Sequence, residues 1–109
     1  MTFSNKIGHS SPPNGYMKLD LKTGKKQYWF DDDLCFSEEP LFVPKSAAKA
    51  EDDGYILGII YEHTSDRRSS LVILDAKDLD SGPICRLLLK HHLPHSLHGS
   101  WCGEYYPVR

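Results

Sequence analysis

The run Tyr55-Ile56-Leu57-Gly58-Ile59-Ile60-Tyr61 is apolar at every position, so it predicts a strand covered on both faces and paired along both edges. Its length and its β-branched residues favour strand over helix, and it is far too short to span a membrane. Asp52-Asp53-Gly54 stops the chain before it, and a polar turn from Thr64 to Ser69 follows it into Leu71-Val72-Ile73-Leu74, which ends at Asp75. Asp80-Ser81-Gly82-Pro83 turns the chain again, into a strand from Ile84 to Leu89.

Upstream, Tyr16-Met17-Lys18-Leu19-Asp20-Leu21 alternates apolar with polar, the pattern of a half-buried strand. Thr23-Gly24 supplies a tight turn and Gln27-Tyr28-Trp29-Phe30 runs back, which predicts a hairpin. Pro40-Leu41-Phe42-Val43-Pro44 reads as a short strand bracketed by prolines, and Ser46 to Ala50 as one helical turn. Residues 1–15 form a polar N-terminal segment closed by Pro12-Pro13-Asn14-Gly15, and residues 16–109 form the β portion. About six strands and almost no helix make the chain all-β, with antiparallel meander strands. A propeller blade takes roughly 40–45 residues and closure needs at least about four blades, so a chain of 109 residues holds enough strand for about two.

The charge balance, 13 Lys and Arg against 15 Asp and Glu, leaves no basic stripe and argues against nucleic-acid binding. Three scattered cysteines, Cys35, Cys85 and Cys102, make a poor disulfide scaffold and fit a reducing compartment. The N-terminal residues show neither a signal peptide nor a transit pattern, so the expectation is a cytoplasmic chain without a transmembrane segment. Lys22-Thr23-Gly24 and Ser46-Ala47-Ala48-Lys49 echo serine β-lactamase motifs, but in reversed order and with no Ser-Asp-Asn between them. Asp31-Asp32-Asp33 reads as a solvated turn, with no spaced partner ligands for calcium.

Four of the six histidines, His91, His92, His95 and His98, fall within eight positions, with Cys102 close behind. Neutral imidazole is the commonest protein ligand for a transition metal. A zinc site from His91, His95, His98 and Cys102 is disfavoured, because Pro94 prevents the helix that would align them. His91, His92 and His95 read as a solvated strand end, and Trp101 with the Tyr105-Tyr106 pair as packing residues.

Three ordered blocks carry a resemblance: Glu39-Pro40-Leu41-Phe42-Val43-Pro44-Lys45; Glu51 to Leu57 with Leu71 to Ala76 and Asp78-Leu79; and Leu93 to Trp101, containing His98-Gly99-Ser100-Trp101. Over residues 14–107 the chain resembles the C-terminal portion of the carotenoid cleavage oxygenases, the family with apocarotenoid, stilbene and retinal-pigment-epithelium members. That resemblance implies about two C-terminal blades of a seven-bladed β-propeller, here incomplete. It implies a non-haem Fe(II) dioxygenase that cleaves a carbon–carbon double bond of an apolar polyene or stilbene-like substrate with dioxygen. It maps one of four iron-binding histidines onto His98, with Gly99 allowing a tight turn and with Leu97 and Trp101 nearby. The other three ligands belong to upstream segments, and His9 and His63 sit in no matching context. Glu39 matches the family's Glu-Pro-x-Phe-Val motif, with a role in either the metal site or the fold. The isolated chain is expected to be inactive. The alternative is a standalone β module acting by partner binding or by self-association through unpaired strand edges.

Overall fold

The computed structural model describes residues 2–3, 13–32, 35–62, 68–96, 98–105 and 107. Its strands are β1 (Thr2–Phe3), β2 (Gly15–Leu19), β3 (Lys26–Phe30), β4 (Cys35–Ser37), β5 (Leu41–Pro44), β6 (Gly54–Glu62), β7 (Ser69–Asp75) and β8 (Pro83–Leu88), with a 3-10 turn, η1 (Leu79–Ser81), before the last. All pairings are antiparallel, in an N-terminal sheet of order β1-β2-β3 and a five-stranded C-terminal sheet. The all-β expectation therefore holds. Two short strands, β1 and β4, escaped the sequence pattern, and Ser46 to Ala50 forms no helix: Ala48 N–H donates to Lys45 O at 3.1 Å in a single turn.

Strand β6 is the spine of the larger sheet. One of its edges pairs successively with β4 and β5, and the other with all of β7. Both edges are thus occupied, as the unbroken apolar run requires, although most β6 residues on the outer face are only half-buried. The hairpin of β2 and β3 turns at Gly24, whose φ of 72° suits the left-handed region that glycine enters without strain. Asp20 organises that turn: its carboxylate accepts from the N–H groups of Lys22 and Thr23 at 2.9 and 3.2 Å. Pro83 starts β8, where a missing donor costs no ladder bond, and a register shift between Ile73 and Leu74 bends the edge beside it.

The core lies between the two sheets. Tyr16 packs with Cys35, Ile60, Val72, Leu74 and Leu79, flanked by Trp29 and Ile56. Tyr16 and Trp29 stack with ring centroids 5.9 Å apart. Gly58 makes room for them, since a Cβ there would come within 2.7 Å of Tyr16 Cζ. Polar clasps fix the sheets against each other. Lys18 Nζ reaches Asp52 Oδ2 at 2.6 Å and Ala76 O at 2.8 Å, Gln27 Oε1 accepts from Leu79 N–H at 2.9 Å, and Asp80 Oδ1 accepts from Tyr28 N–H at 2.9 Å. Asp31 is no solvated loop residue: it is half-buried and pairs with Arg86 at 2.9 Å, while Asp33 lies outside the described residues.

Candidate metal-ligand site

The bend that follows β4 places two adjacent carboxylates at the margin of the larger sheet. Glu38 N–H donates to Ile59 O at 2.9 Å, and Glu38 O accepts from the Tyr16 hydroxyl at 2.9 Å. Pro40 then carries the chain directly into β5, so Glu39 projects from a short segment held at both ends. After β8 the chain folds back over the same end of the sheet. Leu89 N–H donates to Ser69 O at 2.9 Å, and Leu93 N–H donates to Ser69 Oγ at 3.0 Å. Ser69 is fully buried, so its polar groups find partners in this returning chain.

Across 59 positions of sequence, His98 Nδ1 meets Glu39 Oε2 at 3.3 Å. A neutral imidazole that donates Nδ1–H to a carboxylate leaves the lone pair of Nε2 free for a metal. His98 and Glu39 are both well exposed, with side-chain exposures of 69% and 47%, so the pair contributes little to the stability of the chain by itself. Its donor chemistry fits a transition-metal ligand with an orienting carboxylate. Among the described residues no group of three or more His, Cys, Asp or Glu side chains could hold a metal ion.

The other residues of the histidine cluster separate. His91 and His92 are exposed where the chain bends after β8. His95 is also exposed, yet its ring lies 4.4 Å from that of Tyr61 and 6.4 Å, edge-on, from that of Phe36. Tyr61 is buried, which raises the pKa of its hydroxyl, and the neighbouring Glu38 carboxylate raises it further. The phenol therefore stays protonated and donates. Cys102 is exposed and free.

Trp101 and Tyr105 depart from the packing role expected of them, being 56% and 87% exposed, and Tyr106 lies outside the described residues. Gly99 differs as well: it is not among the positive-φ glycines, and a Cβ there would meet nothing within 4 Å, so none of the described residues demands glycine at that position. Leu97, His9 and His63 lie outside the described residues. Sequence reasoning passed over Glu38, Ser96 and Tyr61, which surround the His98 segment. The only signal for them was the doubled acid in Glu38-Glu39-Pro40.

A profile of the retinal pigment epithelial membrane protein family matches residues 1–103. The chain is 44% identical over 92 residues to an apocarotenoid-15,15'-oxygenase of Synechocystis, covering 84% of this chain and 19% of that protein. It is 39% identical to lignostilbene-alpha,beta-dioxygenase isozyme III of Sphingomonas paucimobilis, over 89% of this chain and 18% of that protein. To human beta,beta-carotene 15,15'-dioxygenase it is 36% identical, over 89% of this chain and 17% of that protein. Among solved structures it superposes on an ACO/RPE65 chimera with a TM-score of 0.85 and 39% identity, over 94% of this chain and 21% of that one. It superposes on cobalt-substituted Synechocystis ACO with a TM-score of 0.79 and 43% identity, over 84% of this chain and 19% of that one. The chain thus spans about a fifth of the length of the relatives it matches.

Proposed function

Because the chain belongs to the retinal pigment epithelial membrane protein family, we propose that it is the C-terminal part of a non-haem Fe(II) oxygenase, with His98 as one of four iron-bound imidazoles. The substrate class is an apolar polyene or stilbene-like molecule whose double bond is split with dioxygen, in line with the names of the relatives. The observation that carries this reading is the Glu39–His98 contact, a carboxylate against the ring nitrogen that a metal ligand leaves over.

Iron, when bound, supplies a centre on which dioxygen is activated. The residues of this chain do the rest of what falls to them here. Glu39, 3.3 Å from Nδ1 of His98, would accept its Nδ1–H and orient the ring, leaving Nε2 for the metal. The two sheets hold Glu39 and the returning tail at one end of a common framework. A single exposed imidazole binds a divalent ion weakly and cannot enforce an open coordination geometry, so the isolated chain is inactive in this reading. Anaerobic Fe(II) titration and a carotenoid and stilbene cleavage assay on the 109-residue chain test that part. Weak, substoichiometric iron and no product are expected; tightly held stoichiometric iron with cleaved product would overturn it.

A second reading has one observation in its favour. By strand alternation the outer face of the larger sheet carries Leu41, Tyr55, Leu57, Ile59, Ile73 and Leu87, and none of them is fully buried. Such a face suits packing against a neighbouring blade, and it equally suits self-association of a standalone β module. Size-exclusion chromatography with light scattering distinguishes the two: a discrete oligomer supports the module, and a monomer or polydisperse aggregate speaks against it. No helix among the described residues is long and apolar enough to cross a membrane.

A further inference from the structure

Glu38 and Glu39 are adjacent, but they face different partners. Glu39 meets the His98 ring. Glu38 meets the chain that leads to it: Oε1 accepts from the Ser96 hydroxyl, and Oε2 accepts from the Tyr61 hydroxyl at 3.1 Å. Tyr61 is buried in β6, and its oxygen also lies 3.2 Å from Pro94 O, while its ring supports His95. The backbone of Glu38 is fixed on both sides by Ile59 and Tyr16. The two oxygens of a carboxylate can each accept one of these hydroxyl protons, and bonds to a charged acceptor are stronger than neutral ones.

We propose that Glu38 is a positioning residue for His98, clamping the tail at Ser96 so that the imidazole is delivered to Glu39. Two residues of chain reach at most about 7 Å, so fixing Ser96 confines His98 to the neighbourhood of the Glu39 carboxylate. The two acids therefore act in succession along the chain, with Glu38 holding the backbone and Glu39 setting the ring. The raised pKa of Tyr61 agrees with a hydroxyl that keeps its proton and donates it to Glu38. The clamp stands on contacts within this chain; its use for iron rests on the reading of His98 as a ligand.

The test needs no metal. Long-range proton–nitrogen spectra of the 15N-labelled chain report the tautomer of His98, and backbone relaxation reports the order of Leu93, His95, Ser96 and His98. In the wild-type chain the Nδ1–H tautomer is expected to dominate. Glu38→Gln and Ser96→Ala should each abolish that preference and mobilise Leu93, His95, Ser96 and His98 while the β6 and β7 amide signals stay in place. Glu39→Gln should abolish the preference and leave the backbone ordered, which separates setting the ring from holding the chain. Wild-type tautomer and order in both Glu38→Gln and Ser96→Ala would overturn the clamp. A wild-type His98 with the tautomer ratio of free imidazole would overturn the ligand reading together with the clamp, before any variant is made.

Discussion

Gly58 shows how much a single position can decide in this fold. Its missing side chain is the space occupied by the Tyr16 ring, which is buried and stacked on Trp29. Gly58→Ala would push a methyl group into that ring, with the rigid Trp29 stack behind it. Chemical denaturation should show a loss of about 1–3 kcal/mol, the usual cost of overpacking a core. Cys35 illustrates burial acting on chemistry: desolvation, with the nearby carboxylates adding to it, pushes its thiol up to about 11, whereas Cys102 is exposed. Alkylation with iodoacetamide at about pH 8 should therefore label Cys102 readily and spare Cys35 in the folded chain, because only the thiolate reacts. Equal labelling rates would show that Cys35 is not in the core. At this scale the sequence marked His98 and Glu39 as family-motif residues, and the contact between them spans 59 positions, which no local pattern reports. Glu38 and Ser96 escaped for the same reason, since each looks like an ordinary surface residue until the tail folds back.

At the scale of elements, the strands legible in the sequence are those with a clear apolar run or turn signal, whether well buried like β6 and β7 or largely exposed like β3 and β8. Strands β2, β3, β6 and β7 were legible because apolar alternation or an unbroken apolar run leaves few other solutions. Strand β4 has three residues and β1 two, too few for any period to show, and both exist because a neighbouring strand offers an unpaired edge. The clasp between the sheets was likewise invisible: Lys18 reads as the polar half of an alternating strand, yet it binds Asp52 and Ala76 O. Lys18 lowers the Asp52 pKa below its ordinary 3.8, chiefly through the side-chain hydrogen bond. A carboxylate depressed in the folded state stabilises it above its unfolded pKa and loses that stabilisation as pH falls through the folded value. Thermal unfolding of Asp52→Asn should thus fall below wild type near neutral pH, by a small and salt-sensitive margin, and match it at about pH 2. A gap that persisted at about pH 2 would mean that the aspartate acts through packing.

For the whole molecule, two antiparallel sheets share one core and leave an apolar outer face, as expected of consecutive units in a larger ring. Matches to about a fifth of each relative agree with that picture. Ligands from other parts of such a protein would have to converge on the end of the sheet where Glu39 and His98 meet. A hybrid tests this most directly, in which this chain replaces the matching segment of the Synechocystis apocarotenoid oxygenase. Iron content of the purified hybrid is the measurement, compared between wild-type His98 and His98→Ala, with circular dichroism confirming the fold of both. The proposal predicts stoichiometric iron in the first and a loss of tenfold or more in the second, the order expected when a metal loses a ligand or its support. Equal iron in the two hybrids would contradict it.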